Sequence, residues 1–169
     1  MKEIILVGNG SSMLDKKNSY EIDSYKKVVR FNSFKIKGYE DYVGTKTNIW
    51  FTVNKAHIDR IHDFDEVIFH SWASEENCDL YKDFLKYRSV EKIKKEMIKE
   101  TGIEYPSTGL IAIFYFLKRY NQINIVGYDW WHKDKHHYGD EEARGTLHRP
   151  QKEFQIISKL QNVKFIYFF

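Results

Sequence analysis

Residues with chemical capacity sit at the ends of short apolar runs in this chain. Ile4-Ile5-Leu6-Val7 leads into Gly8-Asn9-Gly10-Ser11-Ser12. Four consecutive aliphatic residues suit a strand covered on both faces. The turn after it offers bare backbone: Gly8 and Gly10 let a phosphate or ribose approach the main chain, while Asn9, Ser11 and Ser12 add amide and hydroxyl groups and can open a helix. An ordinary strand-to-helix turn accounts for the same residues. Asn32 ends a second run in the same way, with an amide able to hold a ligand or to make a turn. Pro106-Ser107-Thr108-Gly109 precedes an almost wholly apolar segment, so Ser107, Thr108 and Gly109 present hydroxyls and N–H groups at a helix N-terminus, which favours an anion; a plain N-cap explains Ser107 or Thr108 equally well. Gly127-Tyr128-Asp129 closes a third run, and His137, Tyr138 and His148 follow in a polar, histidine-rich stretch.

These residues need a scaffold that brings them to one side. Strands are expected at Ile4–Val7, Lys27–Phe31, 48–53, 66–70, Ile123–Val126 and 163–168, from apolar and β-branched content bounded by turn residues. A short helix and loop fit 13–25, and helices fit 54–62, 75–87, 89–101, 109–120 and 150–160; residues 35–46 read as polar and turn-rich. Val90, Ile93 and Met97 form one narrow stripe, whereas 109–120 is apolar nearly all round and belongs in a core. Strands alternating with helices predict a three-layer α/β/α sandwich on a mostly parallel, Rossmann-like sheet. Ligands of such sheets gather at the carboxyl ends of the strands, where Asn9, Asn32, the 106–109 turn and the loop after Gly127 all fall.

Composition narrows the classes. A chain of 169 residues suits one domain, and 27 basic against 24 acidic residues make a mixed surface that gives nucleic acid no electrostatic footprint. The single Cys78 forms no internal disulfide and the N-terminus starts directly on a strand, which points to the cytoplasm. No apolar run approaches the ~20 residues a membrane helix needs, so membrane contact is at most peripheral.

Several chemistries fit poorly. In the dinucleotide fingerprint Met13 stands where a third glycine belongs, and the second strand ends in Asn32 where an acid would hold the ribose, so an NAD-dependent oxidoreductase is the weaker reading. Gly44-Thr45-Lys46-Thr47 imitates a phosphate-binding loop, with Thr45 intruding and no strand before it. Asp63-Phe64-Asp65 has the form of a metal-binding pair but precedes its strand, at the wrong edge for a crevice. His132 and His136 have zinc-like spacing without an obvious third ligand. His57, His62, His70 and His132 read as structural or surface residues.

Taken together, Val7-Gly8-Asn9-Gly10, Val29-Arg30-Phe31-Asn32, Val43-Gly44-Thr45-Lys46-Thr47, Pro106-Ser107-Thr108-Gly109, Val126-Gly127-Tyr128, His137-Tyr138 and His148 through Glu153 resemble, in order, the motifs of animal-type sialyltransferases. Gly127-Tyr128-Asp129-Trp130-Trp131 is also similar to a stretch of bacterial sialyltransferases. The resemblance implies one sialyltransferase-like catalytic domain over 1–169, a GT-A variant, moving an acidic sugar from a CMP-sugar donor to a hydroxyl of a glycan or lipid-linked glycan. The donor carries sialic acid or Kdo, the transfer inverts, and no metal or other cofactor takes part. It implies His148 as general base, since imidazole titrates near neutrality, and His137 with Tyr138 as donors to the departing phosphate. Gly8, Asn9, Gly10, Ser11, Asn32, Ser107, Thr108, Gly109, Gly127 and Tyr128 would hold the nucleotide, and Glu153 would orient its helix or its neighbours. Arg30 is suited to a sugar carboxylate, but its direction is not readable from the sequence. The implied setting is surface-glycan synthesis at the cytoplasmic face. The chain departs from the animal pattern in lacking paired cysteines and in being short, which keeps open a nucleotide-binding or regulatory module without catalysis.

Overall fold

A computed structural model describes residues 2–53, 62–70, 90–130, 137–138 and 148–166. Within them lie strands β1 (Ile4–Val7), β2 (Lys27–Phe31), β3 (Ile49–Thr52), β4 (Glu66–Phe69), β5 (Ile123–Val126) and β6 (Val163–Phe165). The helices are α1 (Ser19–Asp23), α2 (Glu40–Val43), α3 (Glu91–Thr101), α4 (Thr108–Leu117) and α5 (Pro150–Ile157), with a 3₁₀ turn at Ser11–Leu14. The strands form one sheet in the order β4-β3-β2-β1-β5-β6, and each described pairing is parallel.

The order reverses at β1. Strands β1 to β4 step outward in one direction, and the chain then returns to lay β5 on the free side of β1, pairing Leu6 with Ile125. Such a switch point, at the carboxyl ends of β1 and β5, is where open parallel sheets bind ligands.

All four residues of β1 are essentially inaccessible, as the uninterrupted aliphatic run requires. Ile4, Leu6, Val29 and Phe31 pack with Leu110, Ile113, Phe116 and Ile157 on one face. Ile5, Val7 and Val28 pack with Met13, Ile22, Tyr25 and Val43 on the other. Burying each such side chain stabilises the fold by roughly 1.5–3 kcal/mol, so both layers hold the sheet. This is the three-layer, Rossmann-like arrangement expected.

The differences are local. The turn-rich 35–46 segment contains α2, a single turn in which only Val43 is buried. Tyr39 and Tyr42 pack beside it, but one turn is too short to write a period. The strand expected over 163–168 is described as Val163–Phe165, and 167–169 lie outside the described residues. So do the helix expected at 75–87 and, apart from His62, the one at 54–62, together with Cys78, His57, Trp131, His132 and His136.

Candidate active site

The crevice is built where the β1 and β5 loops touch. The parallel ladder continues past the strand ends: Gly8 N–H donates to Val126 O at 2.8 Å and Gly10 N–H to Gly127 O at 3.0 Å. A Cβ on Gly8 would fall on the Gly127 carbonyl oxygen and 2.8 Å from its carbon, and one on Gly10 would meet the Asp129 carboxylate, 2.6 Å from its oxygens. These glycines therefore admit the neighbouring loop at close range. Both still line the crevice.

Three backbone N–H cradles are filled by the protein's own carboxylates. Asp129 accepts from Ser12 N–H at 2.8 Å, from the Ser12 hydroxyl and, at 3.4 Å, from the Ser11 hydroxyl, so it caps the 3₁₀ turn. Glu153, on α5, accepts from Ser107 N–H at 2.8 Å and from the Ser107 hydroxyl at 2.6 Å, while Ser107 Oγ in turn caps α4 by accepting from Leu110 N–H. Asp23 accepts from the N–H groups of Thr45 and Lys46 and from the Thr45 hydroxyl, occupying the loop that imitates a phosphate site. The Ser11 turn and the N-cap residue Ser107 thus each hold an internal carboxylate, while Thr108 and Gly109, the next residues of α4, line the crevice. Glu153 is 2 % exposed, and burial pushes its carboxyl up although its bonds to Ser107 and the nearby His148 pull the other way.

Of the residues singled out from sequence, the fold brings Gly8, Asn9, Gly10, Asn32, Ser107, Thr108, Gly109, Gly127, Tyr128, His137 and His148 to this one crevice, with Glu153 among them. Two stand elsewhere. Ser11 turns to Asp129 and does not line it. Tyr138 is buried and donates its hydroxyl to Lys35 O at 2.6 Å, facing the core instead of a leaving phosphate. Its own N–H holds Asn9 O at 2.9 Å, which sends His137 toward the crevice and Tyr138 inward.

His148 is half-buried and lines the crevice, with Nδ1 3.0 Å from the Tyr105 carbonyl. A carbonyl only accepts, so Nδ1 is the donor of this contact. Asn9 donates to Phe31 O at 3.2 Å. Asn32 has a positive φ of 49°, and its amide takes Val53 N–H at 3.1 Å and donates to Thr108 Oγ1 at 3.2 Å, tying β2 to the start of α4. Phe31, Tyr128 and Trp130 form an apolar wall, with Tyr128 edge-on to Phe31 at 6.1 Å and 5.6 Å from Trp130. Among the described residues the Tyr128 hydroxyl is buried without a partner, and burial drives its phenol well upward.

Arg30 points away from the crevice. It is 1 % exposed and donates to the carbonyls of Lys46 and Val43 and to Thr47 Oγ1, bracing that loop, and burial lowers its pKa to about 10. Asp65 binds Lys27 at 2.7 Å and Asn48 at 3.0 Å, on the amino-end side of its strand. Among the described residues no cluster of three His, Cys, Asp or Glu side chains is arranged to hold a metal.

Sequence reasoning missed Asp129 as the cap of the Ser11 turn and the contact of His70 with Thr108 behind the site. A carboxylate directly after Gly127-Tyr128 was a usable signal for the first; no sequence pattern marks the second. The His70 imidazole is 4 % exposed, stacks on Phe51 with centroids 5.3 Å apart and sets Nε2 3.1 Å from Thr108 Oγ1. Burial, assisted by Lys94, lowers its pKa from 6.5 to about 3. Between those values the unfolded chain binds a proton the fold refuses. Stability is therefore expected to fall as pH drops below about 6.5, approaching ~1.4 kcal/mol per unit. Urea unfolding at pH 7 and pH 5 checks this, with the wild type losing about 2 kcal/mol more than His70→Phe.

The profile of glycosyltransferase family 29 (sialyltransferase) matches residues 1–77 and 72–165. The chain belongs to that family. A human relative, CMP-N-acetylneuraminate-beta-1,4-galactoside alpha-2,3-sialyltransferase, is 36% identical over 64 residues, 38% of this chain and 17% of the relative, so the chain spans under a fifth of that protein. In structure, a mammalian sialyltransferase in complex with Gal-beta-1-3GalNAc-ortho-nitrophenol superposes with a TM-score of 0.65 at 18% identity, over 98% of this chain and 69% of the other. The sialyltransferase CstII from Campylobacter jejuni, in complex with cytidine-5'-monophosphate, superposes at 0.54 and 17% identity, over 98% and 78%. These likenesses establish the shared fold, and the family membership accounts for the order of motifs from Gly8 to Glu153.

Proposed function

We propose that this chain transfers an acidic sugar, sialic acid in the first instance, from CMP to a hydroxyl of a glycan, with inversion. The observation that carries the reading is the meeting of His148, its Nδ1 proton committed to Tyr105, with Asn9, Asn32 and Thr108 in one crevice. The acceptor hydroxyl attacks the anomeric carbon on the face opposite the phosphate while Nε2 of His148 takes its proton. The carbon–oxygen bond to phosphate breaks, and CMP leaves with the electron pair. His137 donates a hydrogen bond to the phosphate as its charge grows. Asn9, Asn32 and Thr108 hold the nucleotide, and no metal takes part. Family membership and the names of the relatives support the CMP-sugar donor. Kdo is the second donor of this chemistry. The lone cysteine supports a reducing compartment, hence the cytoplasmic face of a membrane carrying a lipid-linked acceptor for surface-glycan synthesis.

A melting screen tests the first step: CMP is expected to raise the melting temperature and NAD to leave it unchanged. Incubation with CMP-sialic acid and CMP-Kdo across a glycan panel then tests the chemistry, and chelator is expected to leave the rate unaltered. Binding of CMP with neither hydrolysis nor transfer identifies a non-catalytic module instead, and a shift with NAD alone restores the oxidoreductase reading.

A further inference from the structure

Behind the crevice wall, three side chains form a chain of contacts: Asn32 Nδ2 lies 3.2 Å from Thr108 Oγ1, which lies 3.1 Å from His70 Nε2. Thr108 is the first residue of α4 and lines the crevice, whereas His70 does not reach it. Among the described residues, His70 Nδ1 is buried without a hydrogen-bond partner.

That orphan nitrogen decides the direction of the bonds. A charged imidazole would bury an unpaired N–H beside Phe51, consistent with a pKa held near 3, so the ring is neutral in the fold. Of the two neutral forms, protonated Nδ1 strands a donor in an apolar enclosure, and protonated Nε2 strands only an acceptor. Orphaned buried N–H groups are the rarer and costlier outcome. With the proton on Nε2, His70 donates to Thr108 Oγ1, and Asn32 donates to the same oxygen. Both lone pairs of Oγ1 are then filled. As the first residue of its helix, Thr108 has no carbonyl one turn back within α4 to accept from its hydroxyl. The remaining direction for the Thr108 proton is the crevice.

We propose that His70 is a positioning residue: by donating from Nε2 to Thr108 it fixes the Thr108 hydroxyl as a hydrogen-bond donor aimed at the phosphate of the bound nucleotide. The identity of that ligand rests on the function proposed above; the orientation of the hydroxyl does not. A donor already turned to the ligand loses no rotational freedom on binding, and it favours an anion over a neutral group at the same point.

Calorimetric titration of CMP and cytidine into wild type, His70→Phe, His70→Gln and Thr108→Val tests it. His70→Phe keeps a ring on Phe51 and removes the donor, and the amide of His70→Gln restores one. His70→Phe and Thr108→Val are each expected to weaken CMP on the order of tenfold with cytidine unchanged, the double variant to be no weaker than either, and His70→Gln to recover most of the affinity. Equal loss of CMP and cytidine, additive losses, or no loss overturns the proposal. A wild type that binds no CMP sinks the functional reading itself, and is told apart because it shows before any variant is compared. The imidazole ¹⁵N shifts of the unliganded wild type give a ligand-free check: a bare Nδ1 and a protonated Nε2 are expected, and the reverse overturns the proposal even where a variant fails to fold.

Discussion

Replacing His148 by alanine is expected to reduce turnover by about 10²–10⁴-fold while CMP affinity stays within roughly a factor of two. The imidazole lines the crevice, anchored through Nδ1 to Tyr105, and in the proposed reaction the nucleotide is held by other residues, Asn9, Asn32 and Thr108. A base contributes as the acceptor proton moves and adds little to the ground state. Its removal should therefore lower kcat and kcat/KM together and leave KM for the donor nearly constant. The measurement is steady-state transfer paired with CMP titration on the same preparation. Parallel loss of affinity and rate would make His148 a nucleotide ligand and remove it as the base.

Gly8→Ala is expected to cost about 2–4 kcal/mol. The added carbon falls on the backbone carbonyl of Gly127, and backbone cannot swing aside as a side-chain tip does. Both strands at this point are pinned by the Gly8 N–H bond to Val126 O, so relief requires opening the β1–β5 ladder. The same movement displaces Asn9, and CMP affinity should fall with stability. Gly38→Ala is the control: its φ is +87° but nothing lies within 4 Å of the added carbon, so only local strain of about 1–2 kcal/mol is expected. Urea unfolding compares the two. A Gly8→Ala protein within about 0.5 kcal/mol of wild type would mean that the loops do not press on each other, and the account of the crevice floor would fall with it.

The layer order and the location of the crevice were legible in the sequence. Ile4–Val7 and Ile123–Val126 are unbroken aliphatic runs, and a run without period survives only where both faces are covered, which demands a parallel sheet between helices. Turn residues at the carboxyl ends of those runs then had to share one edge, and the motifs that mark the family lie on that edge in chain order. Short polar elements were not legible: α2 is one turn with one buried residue, too short to write a period.

Tertiary structure alone decided which atoms meet. An N–H cradle attracts any anion, and from sequence the starts of the Ser11 turn and of α4 were equally suited to a phosphate or to a carboxylate of the same chain. Packing of the β5 loop over the β1 loop delivers Asp129 to the first, and α5 delivers Glu153 to the second. Likewise the direction of Arg30, the inward turn of Tyr138 and the placement of His70 behind Thr108 follow from contacts between segments far apart in the chain. Local pattern specifies where a strand ends, because burial acts residue by residue. It does not specify the partner across a loop, because that is set by the three-dimensional register of two independently folded turns.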